Sequence, residues 1–498
     1  RPWVLGARRS SGHWALGTPE RRGSLPLKCP PSAGQPPHRM SADGSDLART
    51  LSYPEAGRTP EQAPGSMKDK PLDVQIAHIF GATPDQNPME QGRGPGAEEG
   101  KKKKRKKKKK GAKIVVNTSL CKYDIVRECA EEMGWEWDDD PESAEQMKFH
   151  IFWTDTSVNM ERVMRLKGYQ RLNHFPSMHL ICRKVALSLT MHRIRPVAEK
   201  DFRFMPRTWA LPGQLNDFRI FYNSLQIKKT FIIKPSAGCQ GKGIVLTRSP
   251  MEVVADLPNC VVQQYLTKPL LIDGFKFDMR VYALVTNVCD LSIFLFDEGL
   301  VRLCTHPYKR PTDANMDNTF MHLTNYSINK NNENFVANED EGSADTGSKR
   351  DFRFLNGYLP TVGFDPQQIW VNIEDLVIKT LIAAQPQLQH AYRSCFPTIK
   401  AEGTNCFEIL GVDVMLDHKG KAYLLEVNHS PSFRCDAPID QRIKSTLILE
   451  TMQVLNLDPE EQQRKQEQER DQFMQRLQKR RGGGEEEGAA GPAPVADT

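Results

Sequence analysis

The sequence predicts a mixed α/β (α+β) fold with disordered ends, on three observations. Strand-like and helix-like runs alternate between about residues 113 and 215. Short apolar, β-branched runs separated by turn residues fill about 228–330. Beyond a polar gap, helical patterns flank a two-strand hairpin as far as about 455. These shifts divide the chain into a disordered region (1–112), a small α/β domain (113–215), a central domain (216–330), a C-terminal domain (331–455) and a charged helix running into a disordered tail (456–498).

The elements follow in order. Residues 1–100 are dense in Pro, Gly, Ser and Arg without apolar periodicity, so they bury too little apolar surface to offset the entropy of ordering. The chain starts at Arg1, which points to an incomplete or processed start, with Met40 and Met67 as candidate initiators. No apolar run of signal-peptide length is present. KIVVNT (113–118) reads as a strand, 123–133 as a helix and HIFW (150–153) as a second strand. Ser157 is the expected N-cap of a helix ending near Lys167, and a longer helix is expected over about 179–193. In the central block, strands are expected at 230–233, 243–247, 260–265, 277–286, 291–296 and 300–304. Residues 331–349 read as a loop, 372–385 as a helix, 406–416 and 422–427 as strands, and 439–455 as a further helix.

Lys and Arg outnumber Asp and Glu by 68 to 62, yet residues 101–110 (KKKKRKKKKK) hold ten of those cations. Without them the +6 net charge becomes −4. The protein therefore carries one basic block and is not basic throughout. Such a block repels itself; it suits an anionic partner such as a nucleic acid, an acidic lipid, an import receptor or an acidic protein tail, or serves as a solvated linker. With no aromatic interleaving, it does not by itself make a nucleic-acid binder. No run approaches the ~18 uninterrupted apolar residues of a membrane helix, so no membrane partner is expected. Eleven cysteines without a C-x-x-C pair are expected as reduced thiols of a cytosolic protein.

Three segments carry chemistry. In FEILGVDVMLDHKGKAYLLEVN (407–428) two apolar runs flank the turn cluster Asp417-His418-Lys419-Gly420. An even-length loop places Asp413 opposite Leu424 and diagonal to Glu426, with Leu424, Glu426 and Asn428 on one face by strand alternation. That collects two carboxylates and an amide oxygen, the all-oxygen set that Mg²⁺ selects. A solvated sheet face would use the same groups, but Glu426 interrupts an apolar run, which favours a metal. The glycine-rich Lys234–Gly243 (KPSAGCQGKG) lacks the last position of a Walker A loop and is followed by a strand. It either cradles phosphate with backbone N–H groups, helped by Lys234 and Lys242, or is an ordinary glycine-bearing hairpin. In GFKFDMR (274–280), Lys276, Asp278 and Arg280 share one side of a strand; by spacing alone an exposed salt-bridge ladder fits better than a nucleotide site. HLTNYSINK (322–330) is a polar loop too unspecific to read unaided.

Taken in order, KPSAGCQGKGI, QQYLTKPLLIDGFKFDMRVYALVT, HLTNYSINK and FEILGVDVMLD…LLEVNHSPSF resemble the tubulin tyrosine ligase-like family, and within it the glutamylase branch. WTDTSVNMERVMRLKGYQRLNHFP and PRTWALP resemble its N-terminal region, so the likeness spans about 113–455. The resemblance implies an ATP-grasp fold and an ATP- and Mg²⁺-dependent ligase. That ligase adds free L-glutamate to glutamate side chains of tubulin C-terminal tails in microtubules, through an acyl phosphate. It implies a cytoplasmic, microtubule-associated protein, cilia and basal bodies included. By the same likeness, Asp413, Glu426 and Asn428 are metal ligands. Lys234, Gln240, Gly241, Gln263, Gln264, Tyr265, Leu266, Lys276, Phe277, Asp278, Thr324 and Asn325 contact the nucleotide. Arg302, Tyr326, Ser327, Lys349, His429 and Lys444 meet the incoming amino acid or the nucleotide, with Arg302 and Lys349 catalytic. A guanidinium binds a carboxylate bidentately, which makes Arg302 the best candidate for a free carboxylate.

Two departures from the family stand out. Ser236 occupies a position where close relatives often carry Asp. After 455 the chain becomes a mixed-charge helix, where long glutamylases continue into a cationic microtubule-binding region. The lysine block is the expected substitute for that region. A glycine ligase of the same family and an inactive microtubule-binding protein are the alternative readings.

Overall fold

The computed structural model describes residues 3–5, 8–10, 13–15, 112–236, 238, 240–257, 259–340, 346–396 and 405–482. The lysine block and the tail beyond 482 lie outside the described residues, as does most of the region expected to be disordered. Within that region, Trp3–Leu5, Arg8–Ser10 and His13–Ala15 form short strands, contrary to expectation, and Trp3–Leu5 pairs with Ser292–Leu303. The average composition of 1–100 hides the local Trp-Val-Leu run.

A parallel sheet opens the body. Val115–Leu120 lies between Glu136–Asp138 and Ile151–Thr154, with Arg171–Leu172 outermost. Parallel strands are covered on both faces, which is why Ile151–Thr154 is buried at every position. Two helix expectations fail locally. The helix after Ile151–Thr154 spans only Met160–Met164, and Asn159, not Ser157, caps it by accepting from the Arg162 N–H. The single helix expected over 179–193 is two, His179–Cys182 and Lys184–Ile194, parted at Arg183, whose backbone is extended (φ −94°, ψ 131°).

Two antiparallel sheets follow. The smaller runs Val245–Thr247, Phe231–Pro235, Cys260–Gln264, Thr208–Ala210 in spatial order. The larger is built on Phe275–Asn287, which pairs with Ser292–Leu303 on one side and Glu408–Leu416 on the other; Ala422–Asn428 and Lys349–Asp351 extend it. The boundary expected at 330 therefore runs through one continuous sheet. The two strands expected at 291–296 and 300–304 are one, because Gly299 is not a turn glycine. A Cβ there would lie 2.5 Å from the Arg280 carbonyl oxygen and the Phe352 ring.

The helix expected at 372–385 extends over Pro366–Cys395, started by Asp365, whose carboxylate accepts from the Gln367 N–H, and by Pro366 in the first turn. It lies in the core formed with one face of the large sheet, through Ile373, Leu376 and Leu388 against Val281, Val412 and Leu424. Pro438–Leu455 packs in a second core with Tyr282, Leu284 and the parallel sheet. No helix among the described residues is long and apolar enough to cross a membrane. The described cysteines carry free thiols.

Candidate active site

The hairpin brings the acidic residues together by a route different from the one expected. Its turn spans five residues, from Asp417 to Lys421, closed by the Lys421 carbonyl accepting from the Asp417 N–H (3.0 Å). An odd loop shifts the register by one residue, and a β-bulge at Leu425 shifts it one further in the same direction, so Val414 faces Leu424 while Asp413 faces Glu426 directly. Leu424 then joins Val412 and Val414 in the core instead of sharing a face with Glu426. Asn428 donates to the Gly411 carbonyl (3.2 Å) and the Glu426 carboxylate (3.4 Å).

Asp413 is buried and already compensated. Arg280 grips it bidentately (2.6 and 3.1 Å), and Arg302 reaches it at 2.9 Å. Burial disfavours its charge, but the two guanidinium groups outweigh burial and hold its carboxyl well below the usual range. Glu426 has no such clamp. Burial and the facing Asp413 push its carboxyl up, against a smaller pull from Lys234. A half-buried carboxylate short of positive charge, next to a second carboxylate and an amide, is a donor set that fits a hard divalent cation such as Mg²⁺.

Three neighbouring cavities, of about 80, 250 and 440 Å³, are all lined by Glu426 and Asn325. The smallest is walled by Ile232, Ile244, Tyr265, Leu266 and Met415, and also by Gln264 and Thr324. Lys276 points into its polar side, donating to the Tyr265 hydroxyl (2.9 Å) and the His322 carbonyl (2.6 Å). Burial pulls Lys276 down to about 8 and His322 to about 4. Asp278 accepts a bidentate pair from Arg302 (2.7 and 2.6 Å) and a hydrogen bond from Thr324 (2.7 Å). Of the row Lys276, Asp278, Arg280, the last two form a cross-strand ion-pair ladder with Arg302 and Asp413, lying inside the protein rather than on an exposed face, while Lys276 bonds a hydroxyl and a carbonyl instead. Phe277, on the opposite side of that strand, packs in the core, so its side chain meets no ligand here.

The 250 Å³ cavity is formed by the glycine-rich loop. Lys234, half-buried and with its pKa lowered by desolvation, donates to Gln263 (3.0 Å), which in turn donates to Thr208 (2.9 Å). Gln240 (φ +60°) and Gly241 (φ +78°) take left-handed backbone. At Gly241 a Cβ would meet Ile328 at 2.5 Å and Asn325 at 3.0 Å, so only glycine fits. Ser327 ties the loop down through the Gln240 carbonyl (3.1 Å), and Lys184 does so through that of Gly238 (2.8 Å).

The largest cavity is cationic. Lys122, Arg280, Arg302, Lys330, Lys349, Arg434 and Lys444 line it against only Glu426, Asp436 and Asp440. Lys349 stands opposite Arg302 across adjacent strands, with its ammonium 3.8 Å from the centre of the Tyr326 ring. Arg302, expected to capture a free carboxylate, lines this cavity while its Nε and Nη2 hold Asp278 and its Nη2 also meets Asp413. Two residues absent from the sequence reading organise the cavity. Asp440, 1% exposed, accepts from both Lys349 (2.6 Å) and Lys444 (2.8 Å). Arg434 offers its carbonyl to Lys444 (2.5 Å). The i, i+4 spacing of Asp440 and Lys444 on a helix was the available signal.

His429 borders the middle cavity but belongs to a separate group. Its ring stands edge-on to His174 (5.7 Å between centroids), which pairs with Glu408 at 2.9 Å. The donor atoms of His174, Glu408 and His429 lie within 4.8 Å of one another. Burial and the neighbouring His174 hold His429 near 4.

The description "Tubulin-tyrosine ligase family" matches residues 161–465. The chain is 46% identical over 345 residues to tubulin polyglutamylase ttll6 of Danio rerio, covering 69% of this chain and 43% of that one. It is 46% identical over 346 residues to tubulin polyglutamylase TTLL6 of Homo sapiens, covering 70% and 37%. To a probable beta-tubulin polyglutamylase of Tetrahymena thermophila it is 42% identical over 345 residues, covering 69% and 28%. The match thus spans less than half the length of these relatives. With the family's signature running through both antiparallel sheets and all three cavities, the chain belongs to the tubulin-tyrosine ligase family, whose fold is of the ATP-grasp type.

Proposed function

We propose that this chain is an ATP-dependent ligase that joins glutamate, by an isopeptide bond, to glutamate side chains in tubulin C-terminal tails. The observation that carries the reading is the meeting of three unlike cavities at Glu426 and Asn325. One is narrow and apolar-walled and suits a nucleotide base; the next has a glycine loop and a half-buried lysine for phosphates; the third has a cation surplus for carboxylates. The relatives named as tubulin polyglutamylases support tubulin as acceptor and glutamate as the added amino acid.

In this reading the acceptor carboxylate attacks the γ-phosphorus and ADP leaves. The amine of free L-glutamate then attacks the acyl carbon and phosphate departs. Such chemistry rests on positioning and charge neutralisation. Asp413, Glu426 and Asn428 would hold Mg²⁺, which supplies neutralising charge at the phosphates. Lys234 and the loop backbone orient them, and Lys276 and Asp278 fix the nucleoside end. The site of action is the microtubule cytoskeleton of the cytoplasm, cilia and basal bodies included.

The test is ATP-dependent incorporation of labelled glutamate, beside labelled glycine, into purified microtubules, with Glu426→Gln in parallel. Glutamate incorporation that the variant loses is the expected result. Glycine incorporation would replace the amino acid but keep the chemistry, and incorporation of neither by a folded, microtubule-binding protein would reduce the chain to a binding module.

A further inference from the structure

The largest cavity holds a unit that the nucleotide chemistry does not use. Asp440 lies in the first turn of Pro438–Leu455, where the helix dipole favours a carboxylate, and it is almost fully buried. Its two oxygens are divided: Oδ2 accepts from Lys349 at 2.6 Å and Oδ1 meets Lys444 at 2.8 Å. The two lysines come from different elements, Lys349 from a strand beside Arg302 and Lys444 from the helix itself. Each ammonium has three donors. Lys349 directs one to Asp440 and rests against the Tyr326 ring, and Lys444 directs others to Asp440 and to the Arg434 carbonyl. Donors on the pair therefore remain for a ligand in the cavity.

Two ammonium groups around one carboxylate carry a single net positive charge. Without the carboxylate, two like charges in a buried site would repel each other and be driven apart or deprotonated. Arg302 spends its Nε and Nη2 on Asp278 and Asp413, whereas this pair brings two ammonium groups with donors to spare to one point of the cavity wall.

We propose that Asp440 is a positioning residue that holds Lys349 and Lys444 as one singly charged clamp for a carboxylate of the incoming amino acid. This rests on the ligase reading above. Asp440 touches no reacting atom; it acts through the two lysines.

The experiment compares wild type, Asp440→Asn and Asp440→Glu on three readouts: fluorescent-ATP affinity, the KM for glutamate during incorporation, and the rate at which Lys349 and Lys444 are acetylated, resolved by mass spectrometry with and without glutamate. The expected result is a KM for glutamate raised on the order of tenfold in Asp440→Asn, ATP affinity within about twofold of wild type, and partial recovery in Asp440→Glu. In wild type, glutamate protects both lysines together from acetylation; in Asp440→Asn that protection is lost. An unchanged KM, or a loss of ATP affinity matching the loss of activity, would overturn the proposal, the second outcome marking Asp440 as a general structural residue. If wild type binds ATP but incorporates nothing, the ligase reading fails on its own, and acetylation decides the clamp: joint protection that depends on Asp440 upholds it, and no protection sinks it.

Discussion

Asp413 and Glu426 face each other across one hairpin, yet only Asp413 has its charge answered. Arg280 and Arg302 hold Asp413 ionised, while Glu426 is left with its carboxyl pushed up by burial and by Asp413 itself. Two carboxylates of similar chemistry thus have different tasks: one ties three strands together, the other is short of a cation.

The two should therefore fail differently when neutralised. Asp413→Asn strips the largely buried Arg280 of its carboxylate and leaves Arg302 with Asp278 alone, and is expected to cost about 3–5 kcal/mol in denaturant unfolding of the ligand-free protein. Glu426→Gln relieves a like-charge contact and should leave that stability unchanged or slightly higher. It should instead abolish the rise in melting temperature that Mg²⁺ with ATP gives the wild type. Equal losses of ligand-free stability in the two variants would contradict the asymmetry.

Lys276 gives a stability signature at alkaline pH. Burial lowers its pKa from 10.5 to about 8, so between those values the unfolded chain binds the extra proton and the folded one does not. Stability then rises with pH across about 8 to 10.5, by on the order of 3 kcal/mol if no other group intervenes. Lys276→Met should remove that rise. Nucleotide affinity in the wild type should fall over the lower part of the same window, as the ammonium facing the smallest cavity loses its charge.

Gly241 tests the phosphate loop. Its φ of +78° and the 2.5 Å approach of Ile328 to a hypothetical Cβ make Gly241→Ala strained twice over. The expected outcome is a loss of about 1–2 kcal/mol in stability and a weaker ATP affinity. Gly134→Ala is the control. It has a comparable φ of +72° and open space around it, so it should show a smaller stability loss and normal ATP affinity.

How far the sequence speaks differs by level. Periodicity places most strands, because apolar runs such as TFII and VYALV have few alternatives. It fails where a tertiary contact sets the outcome: Gly299 reads as a break but sits mid-strand under Phe352, and the helix expected over 179–193 is split at Arg183. The hairpin shows the same limit more sharply. Residue types at 413 and 426 were legible, but the five-residue turn and the bulge at Leu425 are two register shifts in the same direction that together move Asp413 from Leu424 to Glu426, and neither is visible in alternation. That a guanidinium at 302 can bind a carboxylate is legible in the sequence; that its Nε and Nη2 hold Asp278 and Asp413 is a property of the folded sheet. Asp440 was missed because its partner Lys349 lies 91 residues away.

The pair His174 and Glu408 joins residues 234 positions apart and supplies the last prediction. The imidazole spans the Thr154 carbonyl (3.0 Å) and the Glu408 carboxylate (2.9 Å), while the second oxygen of Glu408 accepts from the Phe175 N–H (2.9 Å). Burial opposes the charge on both. For His174 burial is the largest single influence, but the hydrogen bond and charge of Glu408, with the Thr154 carbonyl and Asp155, together outweigh it and raise the pKa above 6.5; for Glu408 burial prevails over His174 and raises the pKa above 4.5. The folded pair therefore keeps a proton that the unfolded chain gives up. Stability from this source is fully present at acidic pH, below the unfolded carboxyl value. It declines as pH rises through the unfolded values of 4.5 and 6.5 and is exhausted only above the folded imidazole value. His174→Gln should flatten that slope and lower stability at pH 6 by about 3 kcal/mol, because Glu408 loses its buried partner. Denaturant unfolding of both proteins at pH 5.5, 6.5, 7.5 and 8.5 reads the slope directly. A wild-type stability that climbs with pH over this range, while His174→Gln follows in parallel, would show that the pair holds no such proton.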